Sequence, residues 1–303
     1  MNPLLDYTIC QLCPRTCKVN RTTSTGFCSC TNEIKAARAS LHLWEEPCIS
    51  GTRGSGTIFF SGCTLKCCFC QNSEISCKNF GKIISPSQLS DIFLKLQEQG
   101  AHNINLVTPT QYLPSIIKAL ENVKASLTIP VIYNCGGYER PEIIRLLKDY
   151  IDIYIPDLKY CDSSLSFSYS KAKDYFSVAT KAILEMVLQT GPPVFNEEGI
   201  LQKGVIIRHL VLPGCKEDSI RLLEWIKENI PPKNFLLSLL SQYTPVYNAQ
   251  NHPEINRRVT TYEYNKVLDK AIALGLEQGF MQERSSASSV YTPSFQLEGI
   301  DTK

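Results

Sequence analysis

The stretch GTIFFSGCTLKCCFCQN, residues 56–72, joins two signals that together decide the fold. GTIFFS (56–61) is a short, nearly continuous apolar run, as expected of a strand covered on both faces. Cys63, Cys67 and Cys70 follow it at once in a CxxxCxxC spacing. The same strand punctuation recurs downstream in NINLV (103–107), PVIYN (130–134), IDIYIPD (151–157), VIIRHLVLP (205–213) and FLLSLL (235–240). Between these runs helices are predicted over 86–99, 112–122, 140–149, 169–190 and 217–228. Six βα units predict an α/β fold, a partial or full barrel. GFMQE (279–283) is a candidate extra strand.

Working outward, residues 1–55 are rich in Cys, Thr, Ser, Arg and Gly without a sustained period of 2 or 3.6, and read as a Cys-rich segment of loops held by a metal. The barrel is expected over 56–285, with a patternless tail over 286–303. In the helix expected at 169–190, Ala172, Tyr175, Phe176, Ala179, Ile183, Met186 and Val187 form an ordinary core-facing stripe. The run Ser50–Gly56 lacks the lysine of a phosphate loop and precedes a strand, so it reads as a turn into the barrel.

The 303 residues are 43% hydrophobic and 20% charged, enough for a sizeable core. Net charge is +2 from 31 basic and 29 acidic residues, well mixed, so nucleic acid is not an expected partner. No apolar run approaches the roughly 20 residues that span a bilayer, and the N-terminus lacks the layout of a signal peptide, so no membrane is expected and the expected location is the cytoplasm. There the 14 cysteines point to metal or redox chemistry rather than disulfides. Cys48, Cys77, Cys135, Cys161 and Cys215 stand alone and read as small buried hydrophobes.

A loop as short as 63–70 can wrap three thiolates around one face of an iron-sulfur cubane. The fourth iron is then open to a small molecule, which is what S-adenosylmethionine (SAM) requires. In such chemistry the cluster passes one electron to the sulfonium, and a 5′-deoxyadenosyl radical abstracts hydrogen from a substrate. Phe69, the aromatic before the last cysteine, is expected beside the cofactor. Upstream, Cys10, Cys13, Cys17 and Cys28 make a second set of four thiols, either a tetrahedral zinc site or a second [4Fe-4S] cluster, and Cys30 could replace Cys28.

At these residues the sequence resembles the radical SAM superfamily, and within it the proteins related to pyruvate formate-lyase activating enzyme. Besides SGCTLKCCFCQN, the phrases CQLCPRTCKVNR, EEPCISGTRGSGTIFF, NINLVTPTQ, VIYNCGGYE, IYIPDLKY, IRHLVLPG and LLSQYTP carry the likeness over nearly the whole chain. The resemblance implies a partial (β/α)6 TIM-like barrel with its site at the C-terminal ends of the strands. It also implies a [4Fe-4S] cluster on Cys63, Cys67 and Cys70, and SAM as ligand. A reducing donor such as flavodoxin or ferredoxin and a protein substrate complete what it implies.

Residue by residue, Thr108 and Thr110 stand where related activating enzymes carry a Gly-Gly-Glu segment at the SAM amino group, so that contact would pass to hydroxyls or carbonyls. Asn134 stands at a polar position near SAM or a bound cation. Asp157 and Lys159 match an Asp-x-Lys pair at the SAM site, and Arg208 a basic residue near the SAM carboxylate. A carboxylate in a partly dry barrel mouth needs such cations; the alternative for Lys159 and Arg208 is an ordinary ion pair with a neighbour such as Asp157 or Glu139. His209 faces away from Arg208 and should pack between strand and helix. With only His42, His102, His209 and His252 present, none beside a cysteine in a recognisable motif, a cysteine hydrolase is disfavoured. The expected function is a radical SAM oxidoreductase, activase-like toward a glycyl-radical enzyme. The alternatives are action on a small metabolite or peptide, and a non-catalytic iron-sulfur electron carrier.

Overall fold

A computed structural model describes residues 2–282 and 294–300. In chain order its elements begin β1 (Ile34–His42), α1 (Pro47–Ser50), β2 (Ser55–Phe60), α2 (Ser73–Ser76), β3 (Lys82–Ile84), α3 (Pro86–Glu98), β4 (Ile104–Val107), α4 (Leu113–Val123) and β5 (Val131–Cys135). They continue α5 (Pro141–Leu146), β6 (Ile153–Pro156), α6 (Ser163–Ser170), α7 (Tyr175–Thr190), β7 (Val194–Phe195), β8 (Leu201–Leu210), α8 (Lys216–Asn229), β9 (Leu236–Leu240), α9 (Thr261–Ala273) and β10 (Gly279–Met281).

One sheet runs β10-β9-β8-β6-β5-β4-β2-β1-β3, with β7 pairing antiparallel to β8. From β2 to β10 every neighbouring pair on that path is parallel, so the six expected strands are joined by GFM of the expected GFMQE; Glu283 lies outside the described residues. Alternation along the strands sorts their side chains to two faces. Tyr133, Tyr154, Val205 and Leu237 pack outward into the main core, which also takes in the helices, whereas Ile132, Ile153, Ile155, Ile206 and Leu236 turn inward. Cys48 and Ile49 of α1 join that inward cluster, so the segment before β2 plugs the barrel interior.

Several elements differ from the sequence reading, among them the short β3 and β7. The loops expected before residue 55 contain β1, antiparallel to both β2 and β3. A register shift between Ala36 and Arg38 buries Ala36 and Ala37 side by side, and that irregularity erases the period of 2. The helix expected over 169–190 is two. Chain from α6 turns at Lys171, whose φ of 55° lies in the left-handed region, before α7 starts at Tyr175. Of the expected stripe, Ala172 lies in the turn between the two helices and the other members lie on α7, all buried except the half-buried Phe176.

Helix α9 was not foreseen because its buried face is small, Tyr264, Val267 and Ala271. Its signal lay at the cap: Thr260 accepts from the Glu263 amide, and the Glu263 carboxylate accepts from Thr260 and from Arg257 at 2.7 Å. Of the expected tail, 286–293 and 301–303 lie outside the described residues. Within 294–300, Phe295 packs edge-to-face on Phe59 at 5.5 Å and Leu297 donates its amide to Ala37 of β1.

Candidate active site

The loop after β2 folds back immediately. Gly62 takes φ 80°, and a Cβ there would sit 2.1 Å from the Cys30 sulfur, so only glycine fits. Beyond it the three motif sulfurs each accept one hydrogen bond. The Leu65 amide donates to Cys63 at 3.4 Å, the Ser170 hydroxyl to Cys67 at 2.9 Å and the Ser76 hydroxyl to Cys70 at 3.3 Å. Burial, and then the nearness of Cys67, push the Cys63 and Cys70 thiols up to about 11 and about 12. Three sulfurs that repel one another as thiolates call for a cationic centre among them.

Cys67 and Cys70 line a cavity of ≈ 340 Å³, within the range of small-molecule sites. Its polar wall comes from inward positions on successive parallel strands, most of them near the C-terminal ends, and from Glu45 in the segment before β2. There Lys159 Nζ lies 2.7 Å from Asp157 Oδ2, Arg208 Nε 3.1 Å from Asp157 Oδ1, and Arg208 Nη1 3.2 Å from Glu45 Oε2. Asn134 accepts from Arg208 Nη2, and Asn105 donates to Glu45 at 3.2 Å. Burial opposes ionisation of Asp157, but Lys159 and Arg208 outweigh it and hold the carboxyl below its usual range. Burial likewise opposes charge on Lys159 and Arg208, and Asp157 reverses the balance on both. Glu45 and Glu46 are pushed up by burial, with Arg208 opposing. The result is a wall that offers cations and carboxylates within one ligand's length.

The sequence model of the Radical SAM superfamily matches residues 57–244, which contain the motif and all the strand ends just described except the Glu45 segment and β10. The chain belongs to the Radical SAM superfamily. Members use a [4Fe-4S] cluster and SAM. The uncharacterized protein MJ0674 of Methanocaldococcus jannaschii is 34% identical over 281 residues, covering 88% of this chain and 75% of that one. Among solved structures the chain is similar to Streptococcus suis SuiB (TM-score 0.47, 17% identity, 76% of this chain and 48% of SuiB). It is also similar to methylornithine synthase, PylB (TM-score 0.45, 15% identity, 69% of this chain and 59% of that one). This chain spans about half to three-fifths of the length of these solved proteins.

As a donor set for a radical SAM cluster, Cys63, Cys67 and Cys70 fit: three thiols on one loop, each already accepting a hydrogen bond, two of them facing the cavity. Among the described residues no three His, Cys, Asp or Glu side chains converge as ligands of a single ion. A cubane does not ask for that, since each thiolate holds a different iron.

Of the expected SAM-binding residues, Phe69, Asn134, Asp157, Lys159 and Arg208 share this cavity, with Gln242 and Tyr243 beside them. Phe69 stands edge-to-face with Tyr243 at 5.7 Å. Thr108 and Thr110 do not line it. Thr108 has φ 56°, unusual for a β-branched residue, and donates its amide to the Asn134 carbonyl. Thr110 is buried on the outer face, its hydroxyl 2.8 Å from the Tyr133 hydroxyl and 2.9 Å from Glu139 Oε1.

Lys159 and Arg208 are both ion-paired with Asp157, in the cavity wall, and not with Glu139. His209 lies between strand and helix as expected, with its ring nitrogens on the Leu158 carbonyl and the Ser219 hydroxyl of α8. Glu45, Glu46 and Ser238 were missed. Glu46 and Ser238 are buried neighbours in the cavity lining, the Ser238 hydroxyl favouring the Glu46 carboxylate against its burial. The EEP of residues 45–47 precedes the motif by more than a strand, and nothing local to it announces a return into the barrel.

Glu139 gives a test of these outer contacts. Burial pushes its carboxyl up to about 8, against the bonds from Thr110 and Tyr133. Between its ordinary value and that one, the unfolded chain has lost the proton and the folded chain keeps it, so stability falls as pH rises. Glu139→Gln removes this dependence. Urea unfolding at about pH 5.5 and about pH 8 is expected to show the variant gaining on wild type by on the order of 3 kcal/mol across the interval.

Proposed function

We propose that Cys63, Cys67 and Cys70 carry the [4Fe-4S] cluster of this radical SAM protein, and that it removes a hydrogen atom from a carbon of a protein or peptide in the manner of a glycyl-radical activase. When bound, the cluster supplies one electron to the SAM sulfonium, giving methionine and a 5′-deoxyadenosyl radical. The observation that carries the reading is the ionic chain Lys159–Asp157–Arg208–Glu45 on the wall that also holds Cys67 and Cys70. An amino-acid zwitterion such as the methionyl end of SAM matches it: Lys159 and Arg208 take the carboxylate, Asp157 and Glu45 the ammonium. Phe69 supplies an apolar wall, and Ser170 and Ser76 hold the sulfurs in place. A low-potential one-electron donor of the flavodoxin or ferredoxin kind completes the reaction.

The protein-substrate part is supported by the rim. Trp44 lines the cavity while 58% exposed, and its neighbour Leu43 is 54% exposed, an apolar edge suited to a polypeptide. A second reading, a small polar metabolite, is favoured by the buried polar pair Glu46 and Ser238 in the cavity lining. The two separate in freeze-quench electron paramagnetic resonance of the reduced, reconstituted protein with SAM and a glycine-containing peptide. The activase reading predicts an organic radical whose splitting collapses when the glycine is α-deuterated. 5′-Deoxyadenosine formed at one rate with and without peptide, and no peptide radical, would contradict it.

A further inference from the structure

The hydroxyl of Ser170, the last residue of α6, donates to the Cys67 sulfur at 2.9 Å. It has one proton to give, so the bond it shares with the buried Tyr160 hydroxyl at 2.8 Å is donated by Tyr160. The same turn receives the Cys68 amide, which donates to the Tyr169 carbonyl at 2.8 Å. A donor aimed at a sulfur holds its line only if the backbone beneath it is fixed relative to the cysteine. At this point the helix cannot do that alone. Its last carbonyls have no partner within it, and the eight residues of α6 close on Lys171, a non-glycine residue with φ 55°.

Arg15 supplies the missing partners from the N-terminal segment. Its guanidinium donates through Nη2 to the Ser170 carbonyl at 3.2 Å and through Nη1 to the Lys171 carbonyl, while Nε donates to the Thr64 carbonyl of the cysteine loop at 2.9 Å. A cation on the final carbonyls also suits the negative end of a helix. The guanidinium is held in turn, with Cζ 3.9 Å from the centroid of the Phe27 ring. Of the expected ligands in that segment, Cys10 and Cys28 are buried and Cys13 and Cys17 half-buried, and the Cys17 sulfur accepts the Phe27 amide at 3.4 Å. The cysteine loop returns the contact: Lys66 Nζ donates to the Ser29 hydroxyl at 2.6 Å and lies 5.5 Å from the same Phe27 ring.

We propose that Arg15 is a positioning residue for Cys67, clamping the end of α6 to the cysteine loop so that the Ser170 hydroxyl stays on the Cys67 sulfur. The inference rests on the cluster reading given above and adds that the N-terminal segment helps to set how readily that cluster takes up an electron. Hydrogen bonds to the sulfurs are among the levers on an iron-sulfur reduction potential, since they favour the more negative, reduced state. Loosening the clamp lengthens the bond from Ser170 and makes reduction harder. The forked shape of the guanidinium is what the clamp needs, because a lysine keeps the charge but cannot span the Thr64 carbonyl and the end of α6 together.

The test is a redox titration of the anaerobically reconstituted full chain, read by electron paramagnetic resonance at the signal that SAM perturbs, with iron content on the same samples. Arg15→Met and Arg15→Lys are expected to keep the iron of wild type and to lower the reduced-to-oxidised ratio at a fixed potential by about threefold to tenfold, the worth of an ordinary hydrogen bond. Ser170→Ala should shift the ratio at least as far. Arg15→Lys/Ser170→Ala should go no further than Ser170→Ala, because both changes act on one bond. Arg15→Lys retains the charge at the helix end, so it carries the test where Arg15→Met fails to fold. A wild-type ratio in folded Arg15→Lys, or shifts that add in the double variant, overturns the role of Arg15 alone. Cys67→Ala that retains the SAM-perturbed signal overturns the cluster reading together with it.

Discussion

Cys67→Ala is expected to form no measurable 5′-deoxyadenosine from SAM, a loss of at least ~10³-fold, because without that thiolate the cluster proposed on the motif loop has only two protein ligands. Cys67 is the most informative of the three. It is buried, lines the cavity and receives the shortest hydrogen bond, from Ser170 at 2.9 Å. That donor reaches it from the end of α6, about a hundred positions away in the chain, so the cluster loop and the α6–α7 junction are positioned together. Ser170→Ala should leave the cluster assembled but cost roughly 10–100-fold in activity or cluster retention, the range for partners one shell behind metal ligands. Chromatographic quantitation of deoxyadenosine, with iron content on the same samples, separates the two variants. Equal losses would mean that Ser170 matters only for folding, and circular dichroism of the variant checks that directly.

The second large effect falls on Arg208. Its guanidinium meets Asp157, Glu45 and Asn134 at once, with its side chain 17% exposed and that of Glu45 10% exposed. Arg208→Met removes one cation and leaves the Glu45 carboxylate with the Asn105 amide alone, while Asp157 keeps Lys159, which should lower the unfolding free energy by about 3–5 kcal/mol. SAM binding should weaken by at least ~10²-fold, because a truncated partner in a buried charged contact costs 2–5 kcal/mol. The double variant Arg208→Met/Glu45→Gln is expected to recover part of the stability, since the stranded carboxylate is gone, and none of the affinity. Urea unfolding and calorimetric titration with SAM read the two effects separately. Unchanged affinity in a folded Arg208→Met would remove this residue from the proposed SAM site.

The cluster motif and the barrel strands were legible because each is local. Three cysteines in eight residues and an apolar run beside them need no tertiary context, and β4, β5, β6, β8 and β9 announce themselves the same way. What escaped was non-local or irregular. A bulge hid β1, the turn at Lys171 divided what read as one helix, and α9 showed itself only in its capping box. At the cavity, Asp157, Lys159 and Arg208 were named through the family resemblance, which agrees with the tendency of a parallel barrel to keep polar groups at its strand ends. Glu45 and Glu46 were not, because they enter the barrel from a segment preceding its first parallel strand. Thr110 misled for the complementary reason: one residue of register after β4 decides whether a hydroxyl faces the cavity or the Glu139 pair outside it.

The decisive measurement is 5′-deoxyadenosine released from SAM by the anaerobically reconstituted wild-type chain with a strong reductant. Release of deoxyadenosine with an equal amount of methionine, absent when SAM or reductant is omitted, is the predicted result. No release from a sample whose reduced [4Fe-4S] spectrum proves the cluster present would contradict the proposed chemistry and leave an iron-sulfur electron carrier in its place.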